Sequence, residues 1–244
     1  MSGSTLRRLQ REVLLGGLIG LSVALLQIPG VDVPDQTFSE VVATTWENLG
    51  IMQYPLAACV VAGLIVIVWK FFDLVGKSSA TKKTLREVEG LLAERRLREA
   101  LEVCANSTSP AARILHSGLE RHEEGTDRVM KAIENQGLIE LSKLESGLVI
   151  LATLTNIAPL LGFLGTVIGM IVAFESIEAA GEVEATLVAG GIKIALTTTA
   201  AGLVIAIPVS IAHNYFVSRI DSLVIDMEES AQKMVDAIAS IEAA

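Results

Sequence analysis

The stretch Asn156–Phe174, "NIAPLLGFLGTVIGMIVAF", decides the fold. It carries no charge and is close to the roughly 20 apolar residues that cross about 30 Å of hydrocarbon as a helix. It is not a plain anchor. Gly165, Gly169 and Ala173 recur every four residues, which gives one smooth helical face where another backbone can approach closely. Pro159 removes a backbone donor just upstream and is expected to kink the helix. Thr166 sets a hydroxyl beside the small face.

Working outward, two further runs are long and apolar enough to span. One is Pro55–Phe72, extended upstream by Ile51 and Met52, and the other is Leu187–Ala212. The expected organisation is a first span over 50–73, a second over 147–178 and a third over 187–212. A soluble region over 74–146 separates the first two spans, a short loop over 179–186 joins the second to the third, and a tail covers 213–244. A fourth run, Val13–Ile28, stops at Pro29 and Gly30 after Arg7, Arg8 and Arg11. Within the segment 1–49 it reads either as a retained helix or signal anchor, or as a cleaved signal or surface-lying helix. The fold class is all-α: a polytopic membrane protein with three secure transmembrane helices, an N-terminal fourth left open, and long helical cytoplasmic extensions.

Charge sets the orientation, because cytoplasmic loops collect Lys and Arg. Eighteen of the 19 Lys and Arg residues fall before Val13, between Lys70 and Lys143, or after Ala212. Those segments, both termini among them, are expected in the cytoplasm if the N-terminal helix is retained. The opposite side would carry short acidic loops, "VDVPDQTFSE" and "ESIEAAGEVEA". A net charge of -9 without a basic patch and interleaved aromatics argues against a nucleic-acid partner. Cys59 lies in a span and Cys104 in the soluble region, so a mutual disulfide is not expected.

The soluble region is built for helices. Over Ala80–Ala105 apolar residues recur every three to five positions, with a break expected near Glu94–Arg96. Pro110 suits the first turn of the next helix, which is expected to end at Gly125. From Thr126 to Leu154 there is no proline, and Val129, Ile133, Leu138, Leu141, Leu144 and Leu148 keep a helical spacing through the polar-to-apolar change. One continuous helix into the membrane is therefore expected. The tail is likewise helical and amphipathic.

Catalytic constellations are missing: there is no Gly-Lys-Ser/Thr phosphate loop, HExxH, paired CxxC or GxSxG. His116 and Glu120 are too few for a metal site. The chain does not read as an enzyme and implies no cofactor or metal.

The third span, "GGIKIALTTTAAGLVIAIP" over Gly190–Pro208, adds Lys193 and the run Thr197, Thr198 and Thr199. Thr166 and Thr199, on neighbouring helices, could line a shared polar path, whereas Thr197 and Thr198 are expected to satisfy nearby backbone carbonyls. From Leu148 to Phe174 and from Leu187 to Ala212 there is no Asp or Glu. Proton passage needs a titratable group or a water chain, so a carboxylate would have to arrive on another chain. Lys193 lies near the exported end. It either snorkels to the interface or meets a neighbouring subunit or the pore.

"APLLGFLGTVIGM" followed by "GGIKIALTTTAAGLVIAIPVSIAHN" resembles the signature of the MotA/TolQ/ExbB proton-channel family, in its ExbB/TolQ branch, and the likeness extends over about residues 50–230. The resemblance implies a homopentamer whose second and third spans line a pore. It implies a single-span ExbD/TolR-like partner supplying an intramembrane Asp, and a TonB- or TolA-like envelope protein receiving the work. Thr166 and Thr199 then match pore threonines; Pro159, Gly162, Gly165, Gly169, Gly202, Pro208 and Asn214 match structural positions. Ile194 departs from the pattern by standing where a glutamate is usual, and His213 replaces a common tyrosine. The expected function is a proton-channel subunit of a molecular motor in a bacterial inner membrane, powering TonB-type import, Tol function, gliding or secretion. A flagellar-type stator, against which the short cytoplasmic region argues, and a non-conducting scaffold are the alternatives.

Overall fold

The computed structural model describes Trp46 and residues 49–242, so the Val13–Ile28 run and the first acidic loop lie outside the described residues. Among the described residues there is no strand. A 3-10 turn, Gly50–Met52, leads into α1 (Gln53–Ala93), followed by α2 (Leu97–Asn106), α3 (Pro110–Leu119), a 3-10 turn at His122–Glu124, α4 (Thr126–Glu145), α5 (Leu148–Ala180) and α6 (Ala185–Glu242). Of these, α1, α5 and α6 each contain a segment long and apolar enough to cross a membrane. The protein is an all-α, multi-pass membrane protein.

The chain divides into two compact units. The first combines the described residues up to Leu64 with Ala152–Ile211. Where α5 and α6 meet, its packing is the reverse of a soluble core. Ala158, Ala173, Ala195, Ala206, Gly162, Gly165, Gly169 and Thr198 are buried, while Phe163, Leu160, Phe174, Leu196 and Ile207 are exposed. Small residues inside and large apolar residues outside suit lipid, which offers no hydrophobic drive between helices and favours close backbone contact instead.

The second unit, Ile65–Leu151 with Ala212–Ala244, has an ordinary core. On α6, Phe216, Ile220, Leu223, Met227, Ala231, Met234 and Ile238 are buried at steps of three or four, and on α1 Leu85, Val88 and Leu92 follow the same spacing, with the buried Leu74 and Thr81 further up the same helix. That period is the seam of helices packed side by side. Glu89 ties the pair polarly, accepting from Ser230 Oγ at 2.9 Å and Lys233 Nζ at 3.1 Å.

The expected break near Glu94–Arg96 is present. Helix α1 ends at Ala93, Arg95 adopts φ +58°, and α2 restarts at Leu97. Pro110 begins α3, and Ser109 caps it by accepting from the Ala112 amide at 3.1 Å. Two expectations need correction. Helix α3 stops at Leu119, not Gly125, and the intervening residues form a 3-10 turn before Gly125 turns at φ +93°. The helix expected to run unbroken from Thr126 into the membrane is interrupted at Ser146–Gly147. Gly147 sits at φ +86° there, and a Cβ on it would lie 3.0 Å from the Trp69 ring. A left-handed residue ends the hydrogen-bond ladder whatever the apolar spacing around it.

Helix α3 is fastened to α4 by a buried carboxylate. Glu140, with no exposed side-chain area, accepts from Arg113 at 2.6 Å, Lys143 at 2.8 Å and Gln136 at 3.1 Å. Burial alone would raise its pKa; the hydrogen bonds and charges of Arg113 and Lys143 outweigh that and hold it below the usual carboxylate range. A depressed folded pKa adds stability that is present above the unfolded value of about 4.3 and is lost as pH falls through the folded one. Glu140→Gln is therefore expected to lower stability by about 1–3 kcal/mol at neutral pH. It should also flatten the acid side of a melting-temperature profile. An unchanged profile would show that the carboxylate is not the fastening charge.

Candidate functional site

The candidate site lies in the first unit, where α5 and α6 meet. Their contact is backbone on backbone. A Cβ added at Gly162 would stand 3.0 Å from the Thr198 carbonyl and 3.1 Å from Thr199 Cα, and one at Gly169 would be 2.9 Å from the Ala195 amide nitrogen. From the other side, a Cβ at Gly202 would be 2.6 Å from the Ala158 carbonyl, and one at Gly191 2.4 Å from the Ala173 Cβ. The small face read from Gly165, Gly169 and Ala173 thus faces a second small face, Gly191, Ala195, Thr198 and Gly202. Pro159 and Pro208 sit inside α5 and α6, each half-buried.

The threonines in this contact have three different fates. Thr198 is fully buried and donates to its own helix, to Ile194 at 3.0 Å and Ala195 at 2.8 Å. Its side chain also occupies the space Gly165 leaves, since a Cβ there would be 2.5 Å away. Thr199, half-buried, reaches across to the Gly162 carbonyl at 3.2 Å, with Ala195 a longer second acceptor at 3.4 Å. Thr166, half-buried, donates within α5 to Phe163 at 2.5 Å. The two hydroxyls do not bond to each other, but the carbonyl that Thr199 touches lies one helical turn before Thr166. A hydroxyl has one proton to donate and two lone pairs to offer. Both therefore keep acceptor capacity after making these bonds.

Lys193 is exposed and has no ion pair among the described residues, and Ile194, standing where the signature has a glutamate, is half-buried. Asn214 is exposed on α6 in the second unit. His116 and Glu120 lie 4.0 Å apart on and just after α3, with no third metal-ligating residue grouped with them among the described residues. Sequence reasoning missed Thr198 as the wedge of the helix contact; its signal was the spacing Gly191, Ala195, Thr198 and Gly202, one small residue per turn opposite Gly162, Gly165 and Gly169.

Comparison with known proteins gives the family. The model of the MotA/TolQ/ExbB proton channel family matches residues 106–229. The chain belongs to that family. A putative biopolymer transport protein ExbB homolog of Methanothermobacter thermautotrophicus is 29% identical over 204 residues, covering 83% of this chain and 72% of that one. Biopolymer transport protein ExbB of Pseudomonas putida is 34% identical over 170 residues, 64% of this chain and 50% of its own. The Tol-Pal system protein TolQ of Haemophilus influenzae is 36% identical over 100 residues, 41% and 42% respectively. Both branch names recur among the relatives, and this MotA/TolQ/ExbB family member is a proton-channel subunit of the ExbB/TolQ type.

Proposed function

We propose that the chain forms a homopentameric channel in a bacterial inner membrane, with both termini in the cytoplasm. It acts without catalytic chemistry of its own. In this reading α5 and α6 line the pore, Thr166 and Thr199 offer hydroxyls along it, and the titrating carboxylate belongs to a single-span ExbD/TolR-like partner. The work passes to a TonB- or TolA-like envelope protein. One observation carries the proposal: two threonine hydroxyls with spare acceptor capacity, one in a partly buried bond at Thr199 and one in an exposed bond at Thr166, sit on a glycine-lined helix pair whose apolar segments contain no Asp or Glu. A proton cannot cross such a segment without a titratable group or a water chain, and a hydroxyl lining is suited to meet a carboxylate brought in on another chain.

The test is purification of the full chain from its native membrane followed by flux measurement in vesicles. The expected outcome is an oligomer of five copies that retains a small single-span protein with an intramembrane Asp, and proton flux only when both are present. Flux from this chain alone, or an oligomer that retains no such protein, would overturn the reading.

A further inference from the structure

Lys70 occupies a core position. It precedes Leu74 on the buried stripe of α1 in the second unit, where the spacing calls for an apolar side chain, and its side chain has no exposed area. Its ammonium donates to the Leu144 carbonyl at 2.6 Å and to the Ser146 carbonyl at 2.7 Å. Those carbonyls belong to the end of α4, which is left without helical donors because the chain turns at Gly147. Trp69, next in sequence, lies over Gly147, and its ring centroid is 5.6 Å from the Lys70 ammonium. Asp73 at 4.0 Å, itself paired with Lys77 at 2.8 Å, supplies the counter-charge.

Against this stands the sequence from Thr126 to Leu154, which has no proline and keeps helical apolar spacing through Leu141, Leu144 and Leu148. Every local signal except Gly147 favours an unbroken helix. We propose that Lys70 is a positioning residue that fixes where α5 begins, by capping the last carbonyls of α4 and so holding open a break that the local sequence would otherwise close. The start point matters because each residue of shift rotates all later side chains by about 100°. One ammonium satisfies two carbonyls at once, and its charge, unlike that of a neutral amide, complements the negative end of α4.

Hydrogen exchange of the full chain in lipid nanodiscs tests this without depending on the channel reading. Hydrogen bonds from a charged donor shift an equilibrium by roughly 10- to 100-fold when removed. Lys70→Met is expected to slow exchange at residues 145–148 by about that factor as α4 and α5 merge, whereas Lys70→Arg, which keeps charge and donors, retains the native pattern. Gly147→Ala, which removes the left-handed turn by another route, is expected to reproduce the Lys70→Met pattern, and the double variant to exchange no more slowly than either alone. Unchanged exchange at 145–148 in Lys70→Met, faster exchange spread through the whole second unit, or a Lys70→Arg pattern equal to that of Lys70→Met would each overturn the proposal. If Lys70→Met does not fold, Gly147→Ala decides: native exchange at 145–148 in that variant overturns it.

Discussion

Gly202→Val and Gly191→Leu are expected to leave almost no intact protein after detergent extraction. At Gly202 the nearest obstacle to a Cβ is the Ala158 carbonyl at 2.6 Å, and at Gly191 it is the Ala173 Cβ at 2.4 Å, followed by the Gly169 carbonyl at 2.8 Å. Backbone cannot swing aside as the end of a flexible side chain can, so the two helices must separate along their length. Overpacking costs about 1–3 kcal/mol where side chains can yield, and the upper end is the reasonable minimum here. Separation also removes the Thr199 bond to Gly162, because a contact of that kind tolerates little added distance. Gly90→Ala is the matched control: Gly90 is helical, and a Cβ there meets nothing within 4 Å. It is expected to be neutral or to add roughly 0.5–1 kcal/mol through lower backbone entropy. Monodisperse yield and melting temperature measure both. Equal stability of Gly202→Val and Gly90→Ala would refute the close helix contact.

This helix pair was partly legible in the sequence because one of its faces obeys a rule that needs no partner to be recognised. Gly165, Gly169 and Ala173 repeat at four residues, and in an apolar run such a repeat has a direct physical reading. The opposing face was harder, because Gly191, Ala195, Thr198 and Gly202 mix glycine with alanine and a β-branched residue at uneven steps. The three apolar helices, the stop before Leu97 and the start at Pro110 were legible for the same reason: each follows from length, composition or a single local conformational preference.

What escaped was decided by residues distant in sequence. The break at Gly147 depends on a lysine 76 residues before Ser146 and on the Trp69 ring; neither leaves a trace in the spacing of Leu141, Leu144 and Leu148. Lys70 counted in the sequence only as one of many cytoplasmic cations, although it is fully buried. Nothing in the sequence sets Glu140 apart, because Arg113, which closes over it, lies 27 residues earlier. Periodicity reports which side of a helix is covered. It does not report what covers it.

The threonines give the second large effect, and their different partners make it selective. Thr199→Val is expected to lower proton flux in the assembled channel by roughly 10- to 100-fold, the scale of a lost hydrogen bond to a charged group. Thr199→Ser, which keeps the hydroxyl, should stay near native. Thr166→Val is expected to fall in the same direction, since its hydroxyl lies one turn beyond the Gly162 carbonyl that Thr199 holds. Thr198→Val provides the discriminating contrast. The Thr198 hydroxyl is fully buried and donates only to Ile194 and Ala195 of its own helix, and valine has nearly the same shape, so the wedge against Gly165 survives. Flux there should change by no more than about threefold, because carbonyls within a helix already accept backbone bonds and lose little when a side-chain donor leaves. If packing alone set the flux, the order would reverse, with the buried Thr198 more sensitive than the half-buried Thr199. Equal losses at Thr198 and Thr199, or native flux in Thr199→Val, would remove the hydroxyls from the proton path and leave the glycine contact as the sole role of this helix pair.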